Sequence, residues 1–284
     1  MKSKYKTEEY RNIIRQSTLI TLAYFWTGLP EGATGKGKTD KLIKHSYVLY
    51  YHHLFCLLEL NDIFKQDSEM NILEIGIEKG GSLGLWRDYC YNSKIFGLDY
   101  RDKDCDGRDI KYFEDEKISI SIFDSTDSKK TEETYDNNYF DLIFDDGSHK
   151  VNDQFATFEN LYSKLKPGGI YIIEDIESVE DADLLSSMIS KSKNINTHGI
   201  ADLSGVIQRG DDIIIVLCKP KENNKNYYEN IMSIAQHALE MVRVGTSMEN
   251  FDSHSAALIA SNEWISFRKY HELQKISKQK EKKK

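Results

Sequence analysis

Short apolar runs of strand length alternate with segments of helical length through the middle of the chain. The runs are rich in isoleucine and are bounded by turn residues; they are NILEIGI (71–77), KIFGLDY (94–100), ISISIF (118–123), FDLIFDD (140–146) and GIYIIEDI (169–176). Among the segments between them, Val151 to Leu165 has the clearest helical pattern, because its apolar residues recur on one face. Strands that alternate with helices predict a mostly parallel sheet with helices on both faces.

The last two predicted strands have a different spacing. Residues 204–220 contain two apolar runs around Arg209-Gly210-Asp211-Asp212, a turn sequence that favours an antiparallel hairpin at the edge of the sheet. With the five preceding strands, this pattern predicts a Rossmann-like, doubly wound α/β fold. Its seven-stranded sheet would be mostly parallel, with an antiparallel C-terminal hairpin.

Both ends of the chain are expected to be helical additions to this sheet. Residues 5–27 and 44–64 predict two helices joined by a glycine-rich loop from Gly28 to Gly37, and the chain is again helical beyond Lys221. We therefore expect an N-terminal helical addition, an α/β domain and a C-terminal helical addition with a basic tail, at residues 1–65, 66–220 and 221–284.

Composition narrows the class of protein. The net charge is −8, but residues 267–284 carry eight Lys/Arg against two Glu, so the rest of the chain is an acidic body with a charge of about −14, a poor surface for nucleic acid. The four cysteines form no CxxC pair, which argues against a disulfide framework or a zinc site. Neither a long apolar stretch nor an apolar signal core is present, so we expect a cytoplasmic protein without an integral membrane segment.

Three consecutive strand ends carry features of a nucleotide site. The first strand runs into the glycine-rich turn EIGIEKGGS (74–82), where a ligand can approach the backbone. Asp99 ends the second strand, where a carboxylate can accept hydrogen bonds from both ribose hydroxyls, and Asp124 follows the third, beside a potential adenine site. Glu74 would repel a pyrophosphate but suits a cationic amino-acid group, which argues against NAD. Each feature alone is more often a tight turn or a helix cap, but their succession favours a ligand site.

On these residues the chain resembles the class I S-adenosylmethionine-dependent methyltransferases, over roughly residues 70–218. The resemblance implies S-adenosylmethionine as the cofactor. It places Glu74 and Gly76 beside the methionine part, Asp99 at the ribose and Asp124 near the adenine. We also expect Gly80, Ser82 and Asp145 to belong to the cofactor site.

Two acidic segments follow the next two strands. Asp145-Asp146-Gly147-Ser148-His149 comes directly after the fourth strand, and Glu174-Asp175 comes directly after the fifth. Because parallel strands end at the same edge of a sheet, the four carboxylates should converge, where they repel one another unless protonated or bound to a metal. Oxygen ligands fit Mg²⁺ or a similar divalent ion, and an imidazole with its ordinary pKa of about 6.5 suits a general base. Each segment alone could be only a turn or a cap; the combination favours a site.

The acidic segments, together with Leu165-Lys166-Pro167-Gly168-Gly169, narrow the resemblance to the metal-dependent sugar O-methyltransferases that act on macrolides and other glycosides. This resemblance implies that Asp146, Glu174 and Asp175 bind Mg²⁺ or Mn²⁺. It also implies that His149 removes the proton from the acceptor hydroxyl, which makes His149 and Asp146 the catalytic residues. Asp145 has no role of its own in this scheme and is expected to support its neighbours.

The N-terminal addition contains a second stretch that is similar to the same subgroup. Gly37-Lys38-Thr39-Asp40-Lys41 is followed by His45, Tyr47 and Tyr51, and the corresponding segment of the subgroup contributes to the active-site cover. The resemblance implies that His45, Tyr47 and Tyr51 contact the substrate. Tyr47 and Tyr51 lie one helical turn apart, a spacing that is also common in a helix core.

We therefore predict a cytoplasmic enzyme that transfers a methyl group from S-adenosylmethionine to a sugar hydroxyl. The acceptor would be a nucleotide-activated sugar or a glycoside in surface-polysaccharide or natural-product biosynthesis, and the enzyme a homodimer or larger. An O-methyltransferase for catechol-like diols fits the same metal chemistry. Glu74 and the absence of GxGxxG argue against an NAD-dependent sugar dehydrogenase or epimerase. The acidic cluster argues against a non-catalytic scaffold, because a scaffold has no need for carboxylates that repel one another.

Overall fold

The structure is a computed structural model, and it describes residues 18–27, 38–104, 107, 115–193, 198–207, 209–221 and 225–245. The predicted glycine-rich loop at Gly28 to Gly37, the first part of the predicted helix 5–27, Cys105 and the basic tail lie outside the described residues.

The described elements alternate along the chain as the hydrophobic pattern predicts. The helices are α1 (Leu19–Trp26), α2 (Tyr47–Leu60), α3 (Gly81–Tyr89), α4 (Ser128–Thr134), α5 (Val151–Leu161), α6 (Val179–Lys193) and α7 (Lys225–Gly245). The strands are β1 (Asn71–Ile75), β2 (Lys94–Asp99), β3 (Ile118–Ile122), β4 (Phe140–Asp145), β5 (Leu165–Ile173), β6 (His198–Asp202) and β7 (Ile213–Cys218).

The seven strands form one sheet in the order β3-β2-β1-β4-β5-β7-β6. Strands β1 to β5 pair in parallel, whereas β7 is antiparallel to both β5 and β6. The predicted Rossmann-like fold is therefore confirmed. After β3 the chain returns to the other side of β1 to form β4, and such a reversal opens a crevice at the carboxyl ends of the strands.

The C-terminal hairpin has the predicted direction but not the predicted boundaries. Its first strand is β6, and residues 203–207 form turns rather than a strand. The carboxylate of Asp202 ends β6, because its Oδ1 accepts hydrogen bonds from the backbone N–H (2.9 Å) and the hydroxyl (2.6 Å) of Ser204. The second strand, β7, lies between β5 and β6 and is not at the edge, so all six of its residues are buried.

The core consists of two apolar layers, one on each face of the sheet. Successive strand residues alternate between them: Ile72 and Phe144 face the layer that contains α1, α2, α3 and α7, while Leu73 and Ile143 face the layer that contains α5 and α6. In the first layer the rings of Trp86 and Phe144 stack with centroids 4.4 Å apart. The helices from both ends of the chain thus cover one face of the sheet. None of the helices in the described part of the chain combines the length and apolarity needed to cross a bilayer.

Candidate active site

A cavity of about 620 Å³ opens at the carboxyl ends of β1, β2 and β4. One end of it is lined by Asp99, Tyr100 and the segment from Phe123 to Thr126. The other end is lined by His45, Tyr47, Asp146, His149 and Asp175, and Gly76 lies between the two ends. The structure therefore brings residues that were predicted for cofactor, metal and substrate into one continuous space.

The glycines after β1 are required by close approaches of the chain to itself. Gly76 has a φ of +83°, and a Cβ added to it would lie 1.8 Å from the carbonyl oxygen of Asp146. A Cβ on Gly81 would lie 2.0 Å from the carbonyl carbon of Lys38. Gly80 caps α3 in the left-handed conformation, with a φ of +69°. Gly76 lines the cavity as expected, but Gly81 makes room for protein rather than for a ligand.

The two carboxylates at the cofactor end are held by nearby backbone groups. Asp99 Oδ2 accepts a hydrogen bond from the N–H of Ile77 at 3.0 Å, and its Oδ1 accepts one from the N–H of Arg101 at 2.9 Å. Asp124 is exposed, and its Oδ1 accepts hydrogen bonds from the N–H (2.9 Å) and the hydroxyl (2.7 Å) of Thr126. Asp99 thus fixes the turn after β1 while it lines the cavity.

Four residues that were predicted to bind the cofactor are not among those that line the cavity, and one of them is Gly80, the cap of α3. Glu74 is fully buried within β1, and Ser82 is buried in the first turn of α3. Asp145 is buried at the end of β4, where its Oδ2 accepts a hydrogen bond from the Tyr171 hydroxyl at 3.2 Å. Burial raises the pKa of both Glu74 and Asp145 to about 7. Their assignment to the cofactor stays a prediction; in the structure they lie beneath the cavity.

At the other end of the cavity, His149 lies between two carboxylates. Its Nε2 is 3.2 Å from Asp146 Oδ1 and 3.5 Å from Asp175 Oδ2. Both His149 and Asp175 have a positive φ, +61° and +52°, a conformation that costs energy outside glycine and often marks functional sites. Burial would lower the pKa of His149, but hydrogen bonding to Asp146 and the charge of both carboxylates raise it to about 9. These partners therefore favour the protonated imidazole, and they oppose its action as a base for as long as both carboxylates face it.

The second oxygen of each of these two carboxylates is held by donors from the N-terminal addition. Asp146 Oδ2 accepts a hydrogen bond from Lys41 Nζ at 2.7 Å. Asp175 Oδ1 accepts one from the Tyr47 hydroxyl and lies 3.2 Å from His45 Nδ1. The remaining oxygens, Asp146 Oδ1 and Asp175 Oδ2, point toward the same place beside His149. Among the described residues, Asp146, His149 and Asp175 form a group whose ligand atoms lie within 4.8 Å of one another.

Glu174, the third predicted metal ligand, is arranged differently. It is fully buried, its Oε1 accepts a hydrogen bond from the Tyr51 hydroxyl at 2.6 Å, and its Oε2 is bound by Lys41. The donor set of Asp146, Asp175 and His149 fits a hard divalent ion, whereas both oxygens of Glu174 are already engaged by the protein. The role of Glu174 as a ligand stays a prediction.

The three predicted substrate contacts separate into two groups. His45 and Tyr47 line the cavity, with their rings stacked at a centroid distance of 4.8 Å. Tyr51 is fully buried beneath them and reaches Glu174 instead. His45 is oriented by Asp212, whose Oδ1 is 2.8 Å from His45 Nδ1 and whose Oδ2 accepts hydrogen bonds from the N–H and hydroxyl of Ser46.

Sequence reasoning missed the contacts of two residues in this network. Lys41 was part of the quoted segment Gly37 to Lys41 without a role of its own, and Asp212 was assigned only to a turn. Nothing in the sequence near Lys41 indicates that its side chain is buried, since the acids it contacts lie at positions 74, 146 and 174. For Asp212 the sequence contains no such signal either, since its partners His45 and Ser46 are far away along the chain.

The chain is similar to known methyltransferases in sequence and in fold. Demethylmacrocin O-methyltransferase of Streptomyces fradiae is 34% identical over 120 residues, which are 39% of this chain and 28% of that protein. A tetracenomycin-C rhamnosyl 3'-O-methyltransferase of Streptomyces olivaceus is 31% identical over 139 residues, 46% of this chain and 32% of that protein. The matched segments thus span about a third of these relatives. No protein-family model matches the chain.

Among solved structures, MycE methyltransferase from the mycinamycin biosynthetic pathway, in complex with Mg, SAH and mycinamycin VI, has a TM-score of 0.52 and 21% sequence identity. That match covers 75% of this chain and 57% of the MycE chain. The chain therefore has the class I methyltransferase fold, and part of it is similar in sequence to sugar O-methyltransferases.

Proposed function

We propose that the protein is an S-adenosylmethionine-dependent O-methyltransferase that acts on a sugar hydroxyl with the help of a divalent cation. One observation carries this proposal: a single cavity joins the strand-end aspartates predicted for the cofactor to the group formed by Asp146, His149 and Asp175. The names of the relatives from Streptomyces describe O-methylation, and one of them names a rhamnosyl group.

The cofactor would lie along the carboxyl ends of β1 to β3. Asp99 would accept hydrogen bonds from the ribose hydroxyls, and the segment from Phe123 to Thr126 would border the adenine. The close approach of Gly76 to the end of β4 leaves the methionine part near Asp146 and His149. This arrangement would hold the methyl group between the cofactor and acceptor ends of the cavity.

The divalent cation would be held by Asp146 and Asp175, beside His149. Carboxylate oxygens suit Mg²⁺ and Mn²⁺, and the donors on the opposite oxygens keep both carboxylates aimed at one place. When bound, such a cation supplies positive charge that offsets the carboxylates and favours the deprotonated form of a nearby acceptor hydroxyl.

The protein's own residues then position the acceptor and move its proton. His45 and Tyr47 border the cavity beside Asp175 and can hydrogen-bond to sugar hydroxyls. His149, once the carboxylates no longer hold a proton on it, accepts the proton of the reacting hydroxyl. The hydroxyl oxygen forms a bond to the methyl carbon as the carbon–sulfur bond breaks, and the products are a methyl ether and S-adenosylhomocysteine. Orientation of the two reactants would supply much of the rate acceleration.

The polarity of the acceptor end favours a sugar over a catechol. Asp40, Lys41, His45 and Asp175 all contribute to the wall at this end, and such a wall matches a molecule with several hydroxyls. A flat aromatic acceptor would instead need apolar surfaces on both of its faces. We include nucleotide-activated sugars and glycosides among the acceptors to be tested.

The test is calorimetric titration of the chelator-treated protein with S-adenosylmethionine, with and without Mg²⁺. We expect micromolar affinity for the cofactor, none for NAD, and a separate Mg²⁺ heat that Asp146→Asn abolishes and the exposed control Asp183→Asn keeps. Methyl transfer is then assayed with nucleotide sugars and with catechol. Absence of cofactor binding would refute the proposal that the protein is a methyltransferase. Methyl transfer to catechol alone would refute the proposal that the acceptor is a sugar.

A further inference from the structure

Lys41 is one of the most deeply buried charged residues in the described chain, and three carboxylates surround its ammonium group. Its side chain is 2% exposed. Nζ lies 2.7 Å from Asp146 Oδ2, 3.5 Å from Glu74 Oε1 and in direct contact with Glu174 Oε2. These acids come from β1 and from the ends of β4 and β5, so one cation from the N-terminal addition joins three neighbouring strands.

The backbone around Lys41 is shaped to deliver this side chain. The N–H of Thr39 donates to the carbonyl of Trp26 at 3.0 Å, and the segment crosses α3 where Gly81 leaves room for it. Next, the carbonyl of Asp40 accepts hydrogen bonds from the N–H groups of Lys44 and His45, which closes a tight turn around Lys41. The position of the ammonium group is therefore set by the fold and not by a freely moving side chain.

Lys41 binds one oxygen of Asp146 and one oxygen of Glu174, with different consequences for the two acids. On Asp146, Lys41 holds Oδ2 and leaves Oδ1 facing His149. On Glu174 it holds Oε2, while Tyr51 holds Oε1. The ammonium group thus orients Asp146, and at the same time it occupies the Glu174 oxygen that could otherwise bind a metal ion. It also places a positive charge next to any cation that binds to the free oxygen of Asp146, and like charges this close repel each other strongly in a buried site.

We propose that Lys41 is a positioning residue, a built-in counter-ion that holds Asp146 and Glu174 in place and limits how tightly the site binds a divalent cation. This inference rests on the divalent-cation site of the proposed function. Without the ammonium group the acids lose their counter-ion, and Glu174 regains an oxygen that can bind metal. Loss of Lys41 should therefore weaken the fold in chelator and strengthen the binding of a divalent ion.

The experiment compares the full-length wild type with Lys41→Met, using Mn²⁺ alone as the probe. Calorimetry gives the Mn²⁺ affinity, and thermal unfolding is followed in chelator and in saturating Mn²⁺. We expect Lys41→Met to unfold at a lower temperature in chelator, to bind Mn²⁺ roughly tenfold more tightly, and to gain more from Mn²⁺ than the wild type does. Lys41→Gln, a milder change, should show the same direction if Lys41→Met fails to fold.

Lys164 provides a matched control for the loss of a buried lysine. It is 1% exposed and pairs with Glu132 at 2.7 Å, but it precedes β5, whereas Glu174 follows the other end of that strand. Lys164→Met should lower the unfolding temperature without changing the Mn²⁺ affinity. Lys41→Arg keeps the charge and should keep the wild-type Mn²⁺ affinity.

Equal or weaker Mn²⁺ binding by Lys41→Met and Lys41→Gln would overturn the inference, as would tighter binding by Lys41→Arg. Tighter Mn²⁺ binding by the neutral variants supports the inference even if the wild type binds no Mn²⁺. Absence of Mn²⁺ binding by the wild type would instead count against metal dependence in the proposed function. Titration with S-adenosylmethionine, run on the same samples, reports separately on the methyltransferase core.

Discussion

The two ends of the cavity are built in different ways. At the cofactor end, the sheet and its own turns supply everything: Asp99 is held by the N–H groups of Ile77 and Arg101, and Gly76 allows β1 and β4 to end close together. At the acidic end, the sheet supplies only the carboxylates. The donors that orient them, Lys41 and Tyr47 among others, come from the N-terminal addition.

This difference indicates that the two ends of the cavity depend on different parts of the fold. The cofactor end depends on local geometry that any sheet of this topology provides at its switch point. The acidic end depends on contacts between residues more than 100 positions apart, so it forms only when the N-terminal helices have docked. Changes at the first end should alter cofactor affinity alone, and changes at the second should alter chemistry, metal binding and stability together.

The largest expected effect separates chemistry from both kinds of binding. His149→Ala should lower kcat by about 10²- to 10⁴-fold, because a positioned general base contributes that much to proton transfer. Binding of S-adenosylmethionine should stay within a few-fold of wild type in calorimetry, since His149 belongs to the acidic end. His237→Ala, on the exposed face of α7, is the matched control and should leave kcat unchanged. Full activity of His149→Ala would remove this residue from the mechanism.

The converse change should affect cofactor binding more than chemistry. Asp99→Asn keeps the size of the side chain but loses its charge and one acceptor, and we expect S-adenosylmethionine affinity to fall roughly 10- to 100-fold. The affinity for Mn²⁺ should not change, because Asp99 does not contact the acidic group. A combined loss of cofactor and metal binding in Asp99→Asn, with the fold intact by circular dichroism, would show that the two ends are not separable.

The sequence predicted the strand ends at both ends of the cavity better than the contacts that join distant parts of the chain. Strand ends, glycine turns and the acidic pairs are local signals, so short stretches were enough to predict the sheet and the shared position of Asp99, Asp146, His149 and Asp175 around one cavity; their roles stay predictions. The close approach of Gly81 to Lys38 and the contact of the buried Glu74 with Lys41 join distant parts of the chain, which no local pattern encodes. Tyr51 shows the limit clearly: its helical spacing from Tyr47 is correct, yet only packing decides which of the two reaches the cavity.

The predicted boundaries of the C-terminal hairpin were wrong for a similar reason. The run SGVIQ (204–208) has the apolar content of a strand, but hydrogen bonds from Ser204 to Asp202 end β6 before it. A side chain that competes locally for backbone groups can override a weak hydrophobic pattern. β7 was recognised because IIIVLC is continuously apolar, as expected for a strand that is covered on both faces.

A change at Gly81 tests whether the acidic end depends on docking of the N-terminal segment. Gly81→Ala would place a Cβ 2.0 Å from the Lys38 carbonyl carbon, so the two backbones must separate. We expect a loss of about 2 kcal/mol in the free energy of unfolding by urea denaturation, as for other overpacked sites. We also expect a higher Mn²⁺ affinity, because Lys41 would be held less firmly beside Asp146. Gly210→Ala, where nothing lies within 4 Å of the added Cβ, is the control and should change stability little. Similar stability of the two variants would contradict the close crossing.

The smallest expected effects distinguish Tyr47 from Tyr51, which the sequence could not separate. Tyr51→Phe removes a buried donor to Glu174 and should cost about 1–3 kcal/mol of unfolding free energy, with little change in the KM for the acceptor. Tyr47→Phe removes a donor to Asp175 at the cavity wall, and we expect it to raise the acceptor KM several-fold while costing less stability, because its side chain borders the cavity. Urea unfolding and steady-state kinetics on the same two proteins measure both quantities. Since each variant loses a single hydroxyl, a reversed pattern, with KM sensitive to Tyr51 and stability to Tyr47, would mean that the acceptor enters from the opposite side of Glu174 and Asp175.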